Sequence, residues 1–315
     1  MPDLDVLRES LKHKDRLERM PDNSPRMNWR FRCYRELLDN LGHGDGMAEV
    51  IEVACRDFLE AAQASGDLGS YIRTRSAHHK IVAYELDIEN LPTRAATLYI
   101  VGAYQQLESF LIDLIEESDE VCGRKSRERT DKEAALDWAL DVLPGGKAAN
   151  LRKVRVELYA ILEYYRAVRN RFMHTRKKAS GIDKALKEVD YWSPVYAVDF
   201  GLKAPNEPDA LILDDFLLFT RAIKYVATHL CRVACPTPDE VVAHAGREMK
   251  TKALRNLDWH MTDDQKARRK LAQHYQVKYR YDLTAVPHIL DDVIRLNKIG
   301  AGRIGRTFKD KVRHR

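Results

Sequence analysis

Apolar positions recur along most of the chain at intervals of three and four residues, the spacing of amphipathic helices. Leu4, Leu7 and Leu11 fall on one face of a first, highly charged helix, which Pro21, Asn23, Ser24 and Pro25 stop. A second helix is expected from Asn28 to Leu41, ended by Gly42 and the HGDG that follows. A third runs from Met47 to Ala64 with Val50, Ile51, Ala54, Phe58 and Leu59 as its apolar stripe, and SGDLGS ends it. The middle of the chain is the most core-like. Thr93 to Glu117 carries Leu98, Val101, Leu107, Phe110, Leu111 and Leu114 at helical spacing after the start signals Pro92 and Thr93. Ser126 to Leu143 is amphipathic and closes at Pro144-Gly145-Gly146. The next helix runs from Arg152 to about Lys177 with Val156, Tyr159, Ala160, Leu162 or Glu163, Ala167 and Met173 in its stripe.

The pattern changes after Gly181. Tyr191 to Leu213 holds Pro194, Gly201, Pro205 and Pro208 between the short apolar runs VYAVDF and ALIL, which predicts a small hairpin or extended flap. Asp214 and Asp215 then cap a helix through about Val233. Cys235-Pro-Thr-Pro is the boundary candidate, followed by short basic helices at Pro238 to about Asn256 and Thr262 to about Tyr275. The expected fold is mainly α: a helical bundle with a short β-hairpin or extended insertion and additional N- and C-terminal helices. Three regions follow: an N-terminal helical arm at 1–85, a bundle at 86–234, and a basic helical region with a flexible tail at 235–315.

Composition narrows the classes. At 315 residues and 44% hydrophobic, the chain can bury real cores, and a net charge of +5 permits a nucleic-acid partner without requiring one. The five cysteines are scattered and odd in number, so they read as reduced core thiols; Cys231 and Cys235 lack the further ligands of a metal site. The N-terminus contains acids and lacks the apolar run of a signal peptide, and no segment reaches the roughly 18 apolar residues of a membrane span. A cytoplasmic protein with no membrane partner is expected. Walker loops, dinucleotide fingerprints and HExxH are absent, and no cofactor or metal is expected.

One stretch carries chemistry: Arg169-Asn170-Arg171-Phe172-Met173-His174, inside a helix with Tyr164, Tyr165 and Arg166 just upstream. An imidazole can move a proton near neutral pH, and a guanidinium can hold the charge that builds on phosphate oxygens. Spacing alone is cheap, because Arg and His also stand five apart at Arg8/His13, Arg73/His78, Arg255/His260 and Arg269/His274. Requiring Asn directly after the Arg leaves RNRFMH at 169–174 and RNLDWH at 255–260, and only the first sits inside a helix. At about 100° per residue, Asn170 and His174 share a face while Arg169 lies roughly 140° from the imidazole. One copy is an incomplete phosphate clamp. Two copies facing across a twofold axis supply two His and two Arg around one phosphate.

RNRFMH resembles the Arg-polar-x3-His signature of the HEPN superfamily of helical-bundle endoribonucleases, which includes toxins, antiviral effectors and RNA-processing enzymes. The order is similar too: an AYQQLESFLIDL helix, an intervening helix, the motif helix, then an extended segment leading into DDFLLFTRAI, covering about 92–233. The resemblance implies metal-independent cutting of RNA at a homodimer seam through the motif helix, as a toxin or antiviral defence effector with an antitoxin or sensor partner. His174 would transfer the proton, Arg169 would stabilise the pentacoordinate phosphate, and Asn170 would orient the imidazole or substrate. Arg176 stands where toxins paired with nucleotidyltransferase antitoxins often carry Tyr, so control by modification of that position is not implied here.

Arg166, Arg171, Arg176 and Lys177, with Lys178 beside them, are candidate guides for an RNA backbone or a solvated basic face. Glu108 is a polar spot near the bundle axis or a neighbour of the site. Tyr164 and Tyr165 are core or dimer packing, or base-stacking groups. The alternative reading is a non-catalytic helical module that binds nucleic acid or a protein through the basic C-terminal third, where Arg247, Lys250, Lys252, Arg255, Lys266, Arg268, Arg269 and Lys270 cluster.

Overall fold

A computed structural model describes residues 29–82, 88, 90–173, 181–248 and 264–295. The expected Leu4 helix, the RNLDWH stretch and the basic tail lie outside the described residues. The described chain is mainly α, with no strand among these residues. Its helices are α1 Arg32–Ala64, α2 Leu68–His78, α3 Leu91–Cys122, α4 Ala135–Val142, α5 Gly146–Lys153, α6 Val156–Met173, α7 Ile182–Phe200, α8 Leu213–Ala234, α9 Pro238–Glu248 and α10 Asp264–Tyr279. A short 3-10 turn at Leu283–Ala285 and a helix over 287–295 follow. No described helix is long and apolar enough to cross a membrane. The described residues form two compact units drawn from interleaved segments: those of unit 1 fall within 1–35, 110–152 and 230–315, and those of unit 2 within 36–109 and 153–229.

In unit 1 the start of α1 is fastened by other parts of the chain. The Glu117 carboxylate accepts the free backbone N–H groups of Arg32 (2.8 Å) and Cys33 (3.1 Å), a negative charge at the positive end of a helix. Arg30 N donates to Tyr279 O, and Arg35 Nη2 to Lys278 O, both at the end of α10. Trp29 stacks on Tyr279 with ring centroids 4.2 Å apart, inside a cluster with Phe31, Tyr275, Tyr281 and His244.

His244 is buried among these rings. Its Nδ1 lies 2.8 Å from Tyr275 Oη and its Nε2 lies 3.2 Å from Tyr279 Oη, so each ring nitrogen has a hydroxyl partner. Burial pushes the imidazole down from 6.5 to about 4. The unfolded chain therefore takes a proton below pH 6.5 that the folded chain refuses until about pH 4. Stability is full above the unfolded value and falls by about 3 kcal/mol as pH drops through that window. Urea unfolding at pH 7 and pH 4.5 should show the loss, and His244→Gln, which cannot titrate, should flatten it; an equal acid loss in both proteins contradicts the assignment.

In unit 2, α1 passes through Gly42, Gly44 and Gly46 without a break, where the glycines predict an end at Gly42 and a new helix from Met47. One face explains it: Leu37, Leu41, Ala48 and Glu52 are buried at helical spacing, and Asp45 on the same face pairs with Lys224 of α8. A Cβ added at any of the three glycines would meet nothing within 4 Å. This register also turns Val50, Ile51 and Ala54 of the expected stripe outward, with Val50 69% exposed, and leaves Phe58 and Leu59 half-buried. Leu98 of α3 is likewise exposed, while Ile100, Ala103, Tyr104 and Leu107 are buried.

Of the hairpin or extended flap expected at Tyr191 to Leu213, the described residues contain no strand and an irregular segment shorter than expected. VYAVDF is the last part of α7, which carries Pro194 inside it, and only 201–212 is irregular. Val189 and Tyr196, seven apart, are both buried, so the segment follows the period of a helix rather than of a strand. Gly201 ends it in the left-handed region at φ 65°. Tyr196 donates to Glu157 O (2.8 Å), and Arg155 pairs with Asp199, so the start of α6 meets the end of α7 and the two run antiparallel.

Candidate active site

α6 presents the motif because its other residues hold it in the core. Leu158, Ile161, Leu162, Tyr164, Tyr165 and Val168 are all buried. The two tyrosines are packing groups whose hydroxyls have partners: Tyr164 Oη donates to Asn206 O, and Tyr165 Oη to Asp215 Oδ1 (2.9 Å). Burial raises both phenols well above their usual range. Asp215, itself fully buried, also accepts from Asn206 N and Nδ2 (both 2.8 Å) and Ile212 N (2.9 Å). It ties the 201–212 connector to α6.

Past Val168 the helix emerges. Arg169 and Asn170 are half-buried, and Arg171, Phe172 and Met173 are exposed. Arg169 Nη1 donates to Asn170 Oδ1 (3.0 Å), and its guanidinium lies over the Tyr104 ring of α3, 5.4 Å from the centroid. Tyr104 is buried, which with Glu108 one turn later pushes its phenol up to about 12, while Arg166 and Arg169 pull the other way. The face of a neutral aromatic ring attracts a cation without neutralising it. Asn170, expected to orient the imidazole or substrate, here orients the guanidinium. Tyr104 is the site neighbour that sequence reasoning missed, although it stands in the AYQQLESFLIDL segment and four residues before Glu108, a helical neighbour.

The remaining cations are differently placed. Arg166 makes a two-pronged bond to Glu163, Nε to Oε1 at 3.0 Å and Nη2 to Oε2 at 2.6 Å. Arg171 Nη2 bonds both carboxylate oxygens of Asp209 at 2.9 Å on the surface. Both guanidinium groups are thus already paired with carboxylates. His174, Arg176 and Lys177 lie outside the described residues. In the C-terminal third, Arg268 pairs with Asp291, Lys278 with Glu248 and Arg295 with Asp292, while Arg247 caps carbonyls of Glu120 and Val121.

Cys33, Cys122 and Cys231 are buried, Cys55 and Cys235 are half-buried, and none of the five is in a disulfide. Among the described residues no three His, Cys, Asp or Glu side chains cluster to hold a metal ion. Compared with known protein families, curated proteins and solved structures, the chain matches none.

Proposed function

We propose that the chain is a metal-independent RNA endonuclease that uses Arg169 and His174, with Asn170 in support, and completes its site by pairing with a second copy. The observation that carries the reading is the setting of Arg169: a cation seated on the Tyr104 ring and oriented by Asn170, where the motif helix leaves the core. Those two contacts fix its direction and leave its charge for an anion. The sequence puts an imidazole five residues on.

The chemistry suited to that pair needs no group beyond RNA itself. The 2'-oxygen bonds to the adjacent phosphorus, the phosphorus–O5' bond breaks, and the products carry a 2',3'-cyclic phosphate and a 5'-hydroxyl. A proton leaves the 2'-hydroxyl and another reaches O5', and two copies of His174 provide one group for each transfer. Charge on the phosphate oxygens peaks in the five-coordinate state, where a preoriented guanidinium contributes most. An unrestrained enzyme of this kind harms the cell that makes it, which suits a toxin or antiviral effector held by a partner.

Single-stranded RNA incubated with the protein in EDTA should yield fragments with 2',3'-cyclic phosphate ends. The same strand with a single 2'-deoxyribose should resist at the substituted position alone. A requirement for divalent metal, or equal cutting at the deoxy position, contradicts the proposal.

A further inference from the structure

α2 does not earn its place by burial. None of its residues is buried, although an 11-residue helix is marginal by itself. Local devices hold it. Asp67 caps the N-terminus by accepting Ser70 N at 2.9 Å, and Tyr71 meets Phe58 of α1 with ring centroids 5.6 Å apart. The C-terminus closes with Lys80 N bonded to Ala77 O and Ile81 N to Ser76 O, the paired bonds of a Schellman turn. The residue in the left-handed position of that turn is Lys80, at φ 57°. Glycine is the low-strain choice there, and a lysine costs about 1 kcal/mol or more.

Charge is what the element offers instead. From Leu68 to Val82 the sequence has Arg73, Arg75, Lys80, His78 and His79 and no acid, bounded by Asp67 before it and Glu85 after it. All five basic side chains are exposed. A helix with no core face, a one-signed surface and a strained lysine at its end fits a polyanion that approaches from solvent.

We propose that α2 and its closing turn form a docking element for the phosphate backbone of single-stranded RNA, in which Arg73, Arg75 and Lys80 each neutralise phosphate. Binding of this kind tracks the backbone and is indifferent to base sequence. The choice of RNA among polyanions rests on the function proposed above, but not on cleavage: a chain that binds RNA here without cutting it keeps this element and loses the nuclease.

The test is fluorescence anisotropy of the full-length protein with a labelled 2'-O-methyl RNA strand, which keeps every phosphate and blocks the 2'-hydroxyl. Three released contacts lower the slope of log affinity against log salt by about 2. Wild type should therefore lose roughly an order of magnitude more affinity between about 50 and 200 mM salt than the triple variant Arg73→Gln, Arg75→Gln, Lys80→Gln. The charge-keeping variant Arg73→Lys, Arg75→Lys should retain the wild-type slope, and circular dichroism should show the helix content of all three unchanged. The proposal is overturned if wild type does not bind the strand, if the triple variant keeps the wild-type slope, or if the charge-keeping variant loses it.

Discussion

Replacing Arg169 by Ala should lower the rate of RNA cleavage by about 10²–10³-fold, the loss typical of removing one preoriented donor from a charge-developing transition state. The change should leave the fold intact, because the side chain is half-buried and its contacts are with a ring face and a neighbouring amide. Arg169→Lys should recover part of the rate: the ammonium can still sit over Tyr104, but it lacks the planar fork that binds two oxygens at once. Tyr104→Leu should act in the same direction and more weakly, since it releases the guanidinium without removing it. Single-turnover cleavage reads all three, and an Arg169→Ala protein as fast as wild type would show that the cation takes no part.

The second large effect concerns the support beneath the motif. Asp215→Ala leaves the Tyr165 hydroxyl, both Asn206 donors and Ile212 N–H without their acceptor in a buried setting. Each orphaned group costs about 1–3 kcal/mol, so a loss of at least about 3 kcal/mol is expected even after partial relaxation. Burial lifts the Asp215 carboxyl above its usual range, against the donors from Ile212, Asn206 and Tyr165 that pull it down. Asp215→Asn keeps an acceptor but brings an amide nitrogen toward groups that are themselves donors, and should fall between the two. Denaturant unfolding followed by circular dichroism measures this, and an Asp215→Ala midpoint equal to that of wild type contradicts the anchoring role. Because Tyr165 stands one turn before Arg169, the same substitution should also slow cleavage in the fraction that stays folded.

Much of the helical framework was legible in the sequence. The α3, α8 and α9 starts fall close to where Pro92, Asp214 and Pro238 place them, because capping residues and prolines act locally. Facing was less legible. In α1, Val50 and Ile51 form an apolar stripe by composition, yet the buried side is set by Leu37, Leu41 and the Asp45–Lys224 pair, a long-range contact. In α6, buried positions run almost around the helix, so the periodic stripe ending at Met173 understated the core and placed an exposed residue in it. VYAVDF has the β-branched and aromatic content of a strand, but Tyr196 is held by Glu157 O on a neighbouring helix, which local propensity does not register.

The site divides in the same way. Arg169 and Asn170 were visible as residue types at a spacing, whereas Tyr104, 65 residues earlier, joins them only through the packing of α3 against α6. The Arg166–Glu163 pair lies at helical-neighbour spacing and is readable in the sequence, whereas Arg171 finding Asp209 needed the fold, since Asp209 sits on a connector expected to be a hairpin or extended flap. The interleaving of segments 1–35, 110–152 and 230–315 in one unit has no local signature at all.

The most direct test compares wild type with His174→Ala on one single-stranded RNA in EDTA. A functional imidazole predicts a fall of about 10²–10⁴-fold with unchanged helix content, and full cleavage by the His174→Ala protein would contradict the account.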